Sequence, residues 1–394
     1  MNTIDYVIGN ENIVDTPLIA FDNDVIDFLQ KLSVSLMSDE NIRKYSDIAA
    51  FAYFCRKSNI KKERQKQENE FRLGRGLCFH IAPSNIPLNF AFSYVMALVA
   101  GNANIVRMPS KNFPQAEIVI SKIKDLLENY PKLLQRTAFV KYDKNSDWTQ
   151  HFSLIADCRM IWGGDTTISS LKKQETKASC VDVTFPDRYS VAIIDGNSIL
   201  ESDSKALSKL AADFYNDTYL MDQNACSSPK LILWLNDNKD ARKLFWGKEV
   251  ELAKIKYLLQ PYVSVDKFTK LCIESIKNKN LSSINYTENY CYRAEISTLS
   301  EDLFADHSFG GWFFEYSLED ITDFVKITTP KIQTVTYYGI DPNLIHRALQ
   351  DFPTKGIDRV VPIGKALDIG FDWDGIKIIN NLSRYIKINV IGKK

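Results

Sequence analysis

Between Asp22 and Met37 the apolar residues Val25, Ile26, Phe28, Leu29, Leu32 and Leu36 recur at three- and four-residue steps, which predicts an amphipathic helix. A second helix is predicted through Ile48, Phe51, Ala52 and Phe54, and the charge run KKERQKQENE behind it reads as a solvated helix face or loop. These first seventy residues look helical and peripheral. From Arg75 the pattern changes, and short apolar runs alternate with helix-length segments. GLCFHIA precedes LNFAFSYVMALVAG, ANIVRM precedes a helix from Pro114 to Asn129, TAFVKY precedes a helical stretch, and CRMIW precedes Asp165 to Lys173. Strands buried on both faces and joined by crossover helices produce this alternation, so a doubly wound parallel α/β sheet is expected. A second α/β region opens near Ser190 with VAIID. It continues through a helix around Leu207 to Tyr219, the strand KLILWL, and helices from Asp240 to Gln260 and Val265 to Lys277. Around Phe352 to Gly375 proline and glycine become frequent and loops dominate.

A chain of 394 residues exceeds one ordinary core and suggests two domains or one large α/β unit. Lysine plus arginine and aspartate plus glutamate number 49 each, so the basic footprint of a nucleic-acid binder or a polybasic membrane anchor is missing. The most apolar stretch, Leu88 to Ala100, is too short to span a bilayer and reads as a buried core helix. No secretory signal is expected from the polar N-terminus. The seven cysteines are scattered without a CxxC pair, so neither a metal site nor a disulfide framework is expected, and the compartment expected is the cytoplasm.

Three segments carry candidate chemistry. Cys226 lies in a polar loop, MDQNACSSP, immediately ahead of a strand; a thiol on a connection held by rigid elements is accessible and fixed, as a nucleophile must be. Cys180 and Cys291 also have polar neighbours, so composition leaves the choice open. In PSNIP, Asn85 ends a strand and precedes a helix, where its amide serves either a local turn or a developing oxyanion. Gly163 and Gly164 stand at a second strand-to-helix turn, where a phosphate can approach bare backbone at a helix N-terminus. His80 and His307 are the histidines nearest these motifs, and each reads first as a structural residue.

Taken in order, GRGLCFHIAPSNIPLNFAFSYVMALVAGNANIVRMPSK, IWGG, DQNACSSPK and RVVPIGKALDIGFDWDG resemble the aldehyde dehydrogenase superfamily, and more closely its acyl-CoA reductase branch, typified by the fatty-acid reductase subunit of bacterial luminescence systems. The resemblance runs from about Gly74 to Arg384. It implies an aldehyde-dehydrogenase-like fold of two doubly wound parallel-sheet domains: a helical region over 1–70 packing on the cofactor domain, a dinucleotide-binding domain over 71–189, a catalytic domain over 190–355, and a loop-rich segment over 356–394. It makes Cys226 the nucleophile and Asn85 the oxyanion-hole amide, with the Cys226 N–H as second donor. A Lys-Pro-Ser-Glu stretch that holds the adenosine ribose in the superfamily is Met108-Pro109-Ser110-Lys111 here, beside Arg107. Loss of the carboxylate and gain of cations suits a 2′-phosphate, so NADPH is the expected cofactor. Gly163 matches the pyrophosphate-turn glycine, and Phe309 matches a phenylalanine beside the nicotinamide, although the Glu two residues earlier is His307 here. Phe185 stands where aldehyde-oxidising members carry a water-activating Glu, with Asp182 and Asp187 flanking it. The resemblance thus implies reduction of an acyl thioester, acyl-CoA foremost, to an aldehyde. The alternatives are an aldehyde dehydrogenase working oxidatively and a silent acyl-binding partner of an acyl-transfer enzyme. The run RYIKINVIG reads as a strand that could extend a neighbour's sheet, so a homo-oligomer is expected.

Overall fold

A computed structural model describes residues 3–67, 70–83, 86–305 and 308–389. The chain forms two compact units, Met1–Pro186 with Ile369–Lys394, and Asp187–Asp368. In the first, strands β1 (Ile4–Ile8), β2 (Arg72–Gly74), β3 (Leu77–Ile81), β4 (Ala103–Arg107), β5 (Thr137–Tyr142), β6 (Cys158–Trp162) and β7 (Val181–Phe185) alternate with helices. The helices are α1 (Asn23–Met37), α2 (Ser46–Phe54), α3 (Lys57–Gln65), α4 (Asn89–Val99), α5 (Pro114–Leu127), α6 (Pro131–Leu134), α7 (Trp148–Ile155) and α8 (Asp165–Lys172). The sheet order is β1-β5-β4-β3-β6-β7. Strand order reverses between β3 and β6, and such a switch point opens a crevice beyond the carboxyl ends of the two strands.

The N-terminal helices are not peripheral. Asp22 caps α1 by accepting the Asp24 N–H (2.9 Å), and Phe28, Leu29, Leu32 and Leu36 below it are fully buried with Phe51 of α2. All eleven residues of α4 are buried, so LNFAFSYVMALV is a helix enclosed on every side. A helix apolar all round can only be stable in that setting.

The second unit holds β8 (Tyr189–Asp195), β9 (Pro229–Leu235), β10 (Leu281–Thr287), β11 (Cys291–Ile296), β12 (Trp312–Ser317), β13 (Ile332–Tyr338) and β14 (Arg359–Pro362), in the order β10-β11-β12-β9-β8-β13-β14. Its helices are α9 (Gly196–Glu201), α10 (Ser204–Asp217), α11 (Lys239–Lys256), α12 (Pro261–Lys277), α13 (Ile321–Ile327) and α14 (Pro342–Asp351). The chain then returns to the first unit as β15 (Asp372–Trp373), β16 (Ile376–Lys377), α15 (Ile378–Leu382) and β17 (Ser383–Tyr385).

Neither sheet is purely parallel. β1 runs antiparallel to β5, and β10 antiparallel to β11 across a tight turn in which Glu288 takes φ 49°. Both are edge strands, the usual place for an antiparallel addition to a parallel sheet. The expected loop-rich segment 356–394 divides at Asp368/Ile369, because Phe371, Trp373, Ile378, Ile379 and Leu382 bury themselves in the first unit's core with α1 and α4. Ser383–Tyr385 pairs with β2 of the same chain, so this part of the run read as an oligomerisation strand is used internally. Val390 to Lys394 lie outside the described residues. Among the described residues no helix is long and apolar enough to cross a membrane.

Candidate active site

In the second unit, α10 ends at Asp217 and a single turn, Tyr219–Met221, leads to Asp222 and Gln223. Both adopt left-handed backbone (φ 51° and 60°), a region that a glutamine seldom enters. The reversal delivers Cys226, half-buried, in a turn just ahead of β9. Ser190 Oγ of β8 donates to the Cys226 carbonyl (2.7 Å), and the Gln223 N–H donates to the Thr218 carbonyl (2.8 Å). Ser228 Oγ, buried two residues past the thiol, has no hydrogen-bond partner among the described residues.

The turn carrying Phe309 is fastened to this loop. The Gly310 N–H donates to the Asp222 carbonyl (2.9 Å), and Tyr257 Oη donates to Asp222 Oδ1 (2.9 Å). Lys267 Nζ, on a side chain 1% exposed, donates to the carbonyls of Gly310 (2.6 Å) and Asn289, and burial lowers its pKa to about 8. Gly310 itself, at φ 64°, has no room for a side chain, because a Cβ would lie 2.3 Å from Val263 Cγ1.

The two rival cysteines sit in unfavourable places for a thiolate. Cys291 is fully buried inside β11, and burial pushes its thiol up to about 12. For Cys180, burial first and the charge of Asp182 second push the thiol up to about 11. Thiols held that high are protonated at neutral pH and react slowly.

In the first unit, the β3-to-α4 turn contains Ser84 and Asn85, which lie outside the described residues, as does His307 of the other unit. On the far side of the switch point, the Gly163 N–H donates to the Phe185 carbonyl (3.2 Å). Gly164, exposed, is the N-cap of α8, without a side-chain cap and with open space where a Cβ would be. A pyrophosphate fits that uncovered helix start, although Asp165 in the first turn adds a negative charge. At the end of β4, Pro109 is buried while Ser110 and Lys111 are exposed. Arg107 lies 5.0 Å from the Tyr142 ring and Lys111 5.1 Å from the Phe113 ring. Residues 107–111 thus present two cations and no carboxylate.

His80 lies in mid-sheet, fully buried, with Nδ1 2.8 Å from Ser93 Oγ and Nε2 3.0 Å from Asn104 Oδ1. Burial lowers its pKa to about 4, so it is a neutral structural group. Phe185 is stacked on Trp162 (3.7 Å between centroids, 15° between planes) and buried. Asp182 is held by Arg159 through two bonds of 2.7 and 2.6 Å. Among the described residues no three His, Cys, Asp or Glu side chains are grouped to hold a metal ion.

Residues 55–260 match the profile of the LuxC family, described as acyl-CoA reductase. That span is more than half of the chain. The chain belongs to the LuxC acyl-CoA reductase family. Curated relatives include the long-chain acyl-protein thioester reductase of Vibrio harveyi, 24% identical over 321 residues, covering 79% of this chain and 64% of the relative. The long-chain acyl-protein thioester reductase 2 of Photobacterium leiognathi is 25% identical over 333 residues, covering 80% and 64%. The chain therefore spans a little under two thirds of these relatives' length. Aldehyde dehydrogenase 21 of Physcomitrella patens shares the fold at TM-score 0.61, with 12% identity over 92% of this chain and 85% of that one. An oxidoreductase of Marinobacter aquaeolei shares it at TM-score 0.63, with 9% identity over 95% and 87%.

The LuxC span contains Arg107, Lys111, Gly163, Phe185 and Cys226, and ends before Phe309. Sequence reasoning missed Gln223 and Asp222, which link the Cys226 and Phe309 turns, and Tyr257 and Lys267, which brace Asp222 and Gly310 respectively. Nothing in local composition marks a glutamine in a polar loop as buried. Lys267 was hidden inside an amphipathic helix, where lysine normally faces water.

Proposed function

We propose that this chain reduces an acyl thioester to an aldehyde through a covalent intermediate on Cys226, with NADPH as cofactor. The observation that carries the reading is the half-buried Cys226 turn, braced from β8 and lying inside the LuxC-matched span, while burial disables the rival thiols. The Cys226 thiolate attacks the thioester carbonyl, the carbon–sulfur bond to the donor breaks, and the departing thiolate takes a proton from solvent. The oxyanion formed on the way is assigned to the Asn85 amide and the Cys226 N–H, a kind of donor worth about 3–4 kcal/mol of barrier. When bound, NADPH would supply the hydride that reduces the acyl-enzyme. Gly163 and Gly164 are assigned to its pyrophosphate, Phe309 to the nicotinamide side, and Arg107, Pro109, Ser110 and Lys111 to the adenosine ribose and its phosphate. Collapse of the reduced adduct releases the aldehyde and restores the Cys226 thiolate. Phe185 supports reduction over oxidation, since a stacked aromatic ring cannot activate water to hydrolyse the acyl-enzyme. The acyl donor is acyl-CoA, or an acyl group carried on a partner protein, the substrate class in the names of the Vibrio and Photobacterium relatives.

The test is a series of acyl-CoAs of graded chain length, following NADPH absorbance and the intact mass of the protein. Wild type should acquire one acyl group and oxidise NADPH; Cys226→Ala should do neither while binding NADPH normally. Turnover retained by Cys226→Ala but lost on mutation of Cys180 or Cys291 would move the nucleophile. Aldehyde oxidation that needs no CoA would favour the oxidative reading instead.

A further inference from the structure

Gln223 is fully buried, three residues ahead of Cys226, and spends the whole bonding capacity of its amide. Nε2 donates to the carbonyls of Pro229 and Trp312 (2.9 Å each), and Oε1 accepts from the N–H groups of Gly311 (3.1 Å) and Trp312 (3.2 Å). Pro229 opens β9 behind the Cys226 turn; Trp312 opens β12 behind the Phe309 turn, with Gly311 just ahead of it. β9 and β12 are parallel neighbours, but their pairing begins two residues further in, at Leu231 and Phe314. At the mouth of the two strands the Gln223 side chain therefore stands in for a peptide group. It joins the turns ahead of the first strand pair, adding to the single backbone bond from the Gly310 N–H to the Asp222 carbonyl. The Asp222 carbonyl and Lys267 Nζ hold Gly310 from its N–H and its carbonyl, completing the clasp.

We propose that Gln223 is a positioning residue for the reaction of the preceding section. It fixes the spacing between the sulfur that carries the acyl group and the turn bearing Phe309, an inference that rests on the thioester-reductase reading. Misplacement by about 1 Å costs about 100-fold in rate. In Gln223→Met, kcat should accordingly fall about 100-fold, while KM for acyl-CoA and for NADPH stays within a few-fold. Gln223→Glu supplies a second, distinguishing readout. Its carboxylate cannot donate to Pro229 and Trp312, whereas its protonated form restores one donor. The kcat of Gln223→Glu relative to wild type should therefore rise as pH falls, and Gln223→Met should show no such recovery. Variants that melt earlier yet keep wild-type kcat per titratable Cys226, with an unchanged pH profile, overturn the proposal. Two measurements do not depend on turnover: hydrogen exchange at the Gly311 and Trp312 amides, and the rate of Cys226 alkylation by iodoacetamide. Both should speed up at least tenfold in Gln223→Met. If wild type reduces no thioester but these rates rise as stated, the functional reading fails and the clasp stands; if they are unchanged, the clasp itself fails.

Discussion

Replacing Glu249 with methionine should make the second unit more stable at neutral pH. α11 turns Ala241, Phe245, Glu249 and Ala253 inward along one line, and Glu249 is 0% exposed at its centre. Neither carboxyl oxygen has a hydrogen-bond partner among the described residues. Burial alone holds the group well above the usual carboxylate range. In the unfolded chain a glutamate ionises near pH ~4.3, while the folded protein keeps this proton to a higher pH. Between the two values the unfolded state has released a proton that the folded state retains. Each pH unit in that window therefore removes about 1.4 kcal/mol of stability. The contribution is intact below the unfolded pKa and is lost as pH rises through the folded one. Even uncharged, the carboxyl leaves buried polar atoms unpaired, at a cost of about 1–3 kcal/mol. Methionine, of similar length and adaptable shape, removes both penalties for a repacking cost below about 1.5 kcal/mol. Urea denaturation of the full chain at pH 5 and pH 6, followed by circular dichroism, reads the effect. Wild type should lose about 1.4 kcal/mol more than Glu249→Met across that single unit, and the variant should be the more stable at pH 6. A variant that is less stable at both pH values, with the wild-type slope, would mean that the carboxylate is solvated or paired, and the reasoning would be wrong.

His80 makes the opposite prediction for the first unit. Its pKa is lowered to about 4, so its stabilisation is present above pH ~6.5 and is lost as pH falls toward 4, by about 3 kcal/mol in all; His80→Gln should flatten that loss in acid denaturation. Phe185→Ala should cost about 3–5 kcal/mol and shift Trp162 fluorescence, since the ring is both buried and stacked; an unperturbed melting curve would contradict this. Lys111→Glu should lower the preference for NADPH over NADH by about tenfold to a hundredfold in kcat/KM, because a cation is lost and a repelling charge gained. An NADH-preferring wild type, or an indifferent variant, would remove Lys111 from the cofactor site.

Much of the architecture was legible because it rests on periodicity. GLCFHIA, ANIVRM, TAFVKY and CRMIW contain the four central parallel strands of the first sheet, and the predicted helix from Asp22 to Met37 is α1 almost to the residue. Long buried runs read clearly because both faces of a central strand must be apolar. What escaped notice had no such signature. Ile4–Ile8 is a five-residue edge strand, and β10, the other edge, has no fully buried residue and no regular alternation. The return of Trp373, Ile378 and Leu382 to the first core is a long-range event that no local window contains. At the candidate site the same division holds. Cys226 and the glycine turn are picked out by the resemblance, whereas the buried amide of Gln223 acquires its meaning from partners up to 89 positions away.

The interruption of the first unit by the second carries a consequence for biosynthesis. Asp187–Asp368 is one continuous run, so every residue that unit needs has been made before the segment beginning at Ile369 appears. The first unit, by contrast, waits roughly 200 residues for α15 to be made, about 10–40 s at ~5–20 residues per second. Meanwhile the faces of α4 and β7 against which Ile378–Leu382 will pack stay uncovered. On the ribosome the later-encoded unit can thus be the first to finish.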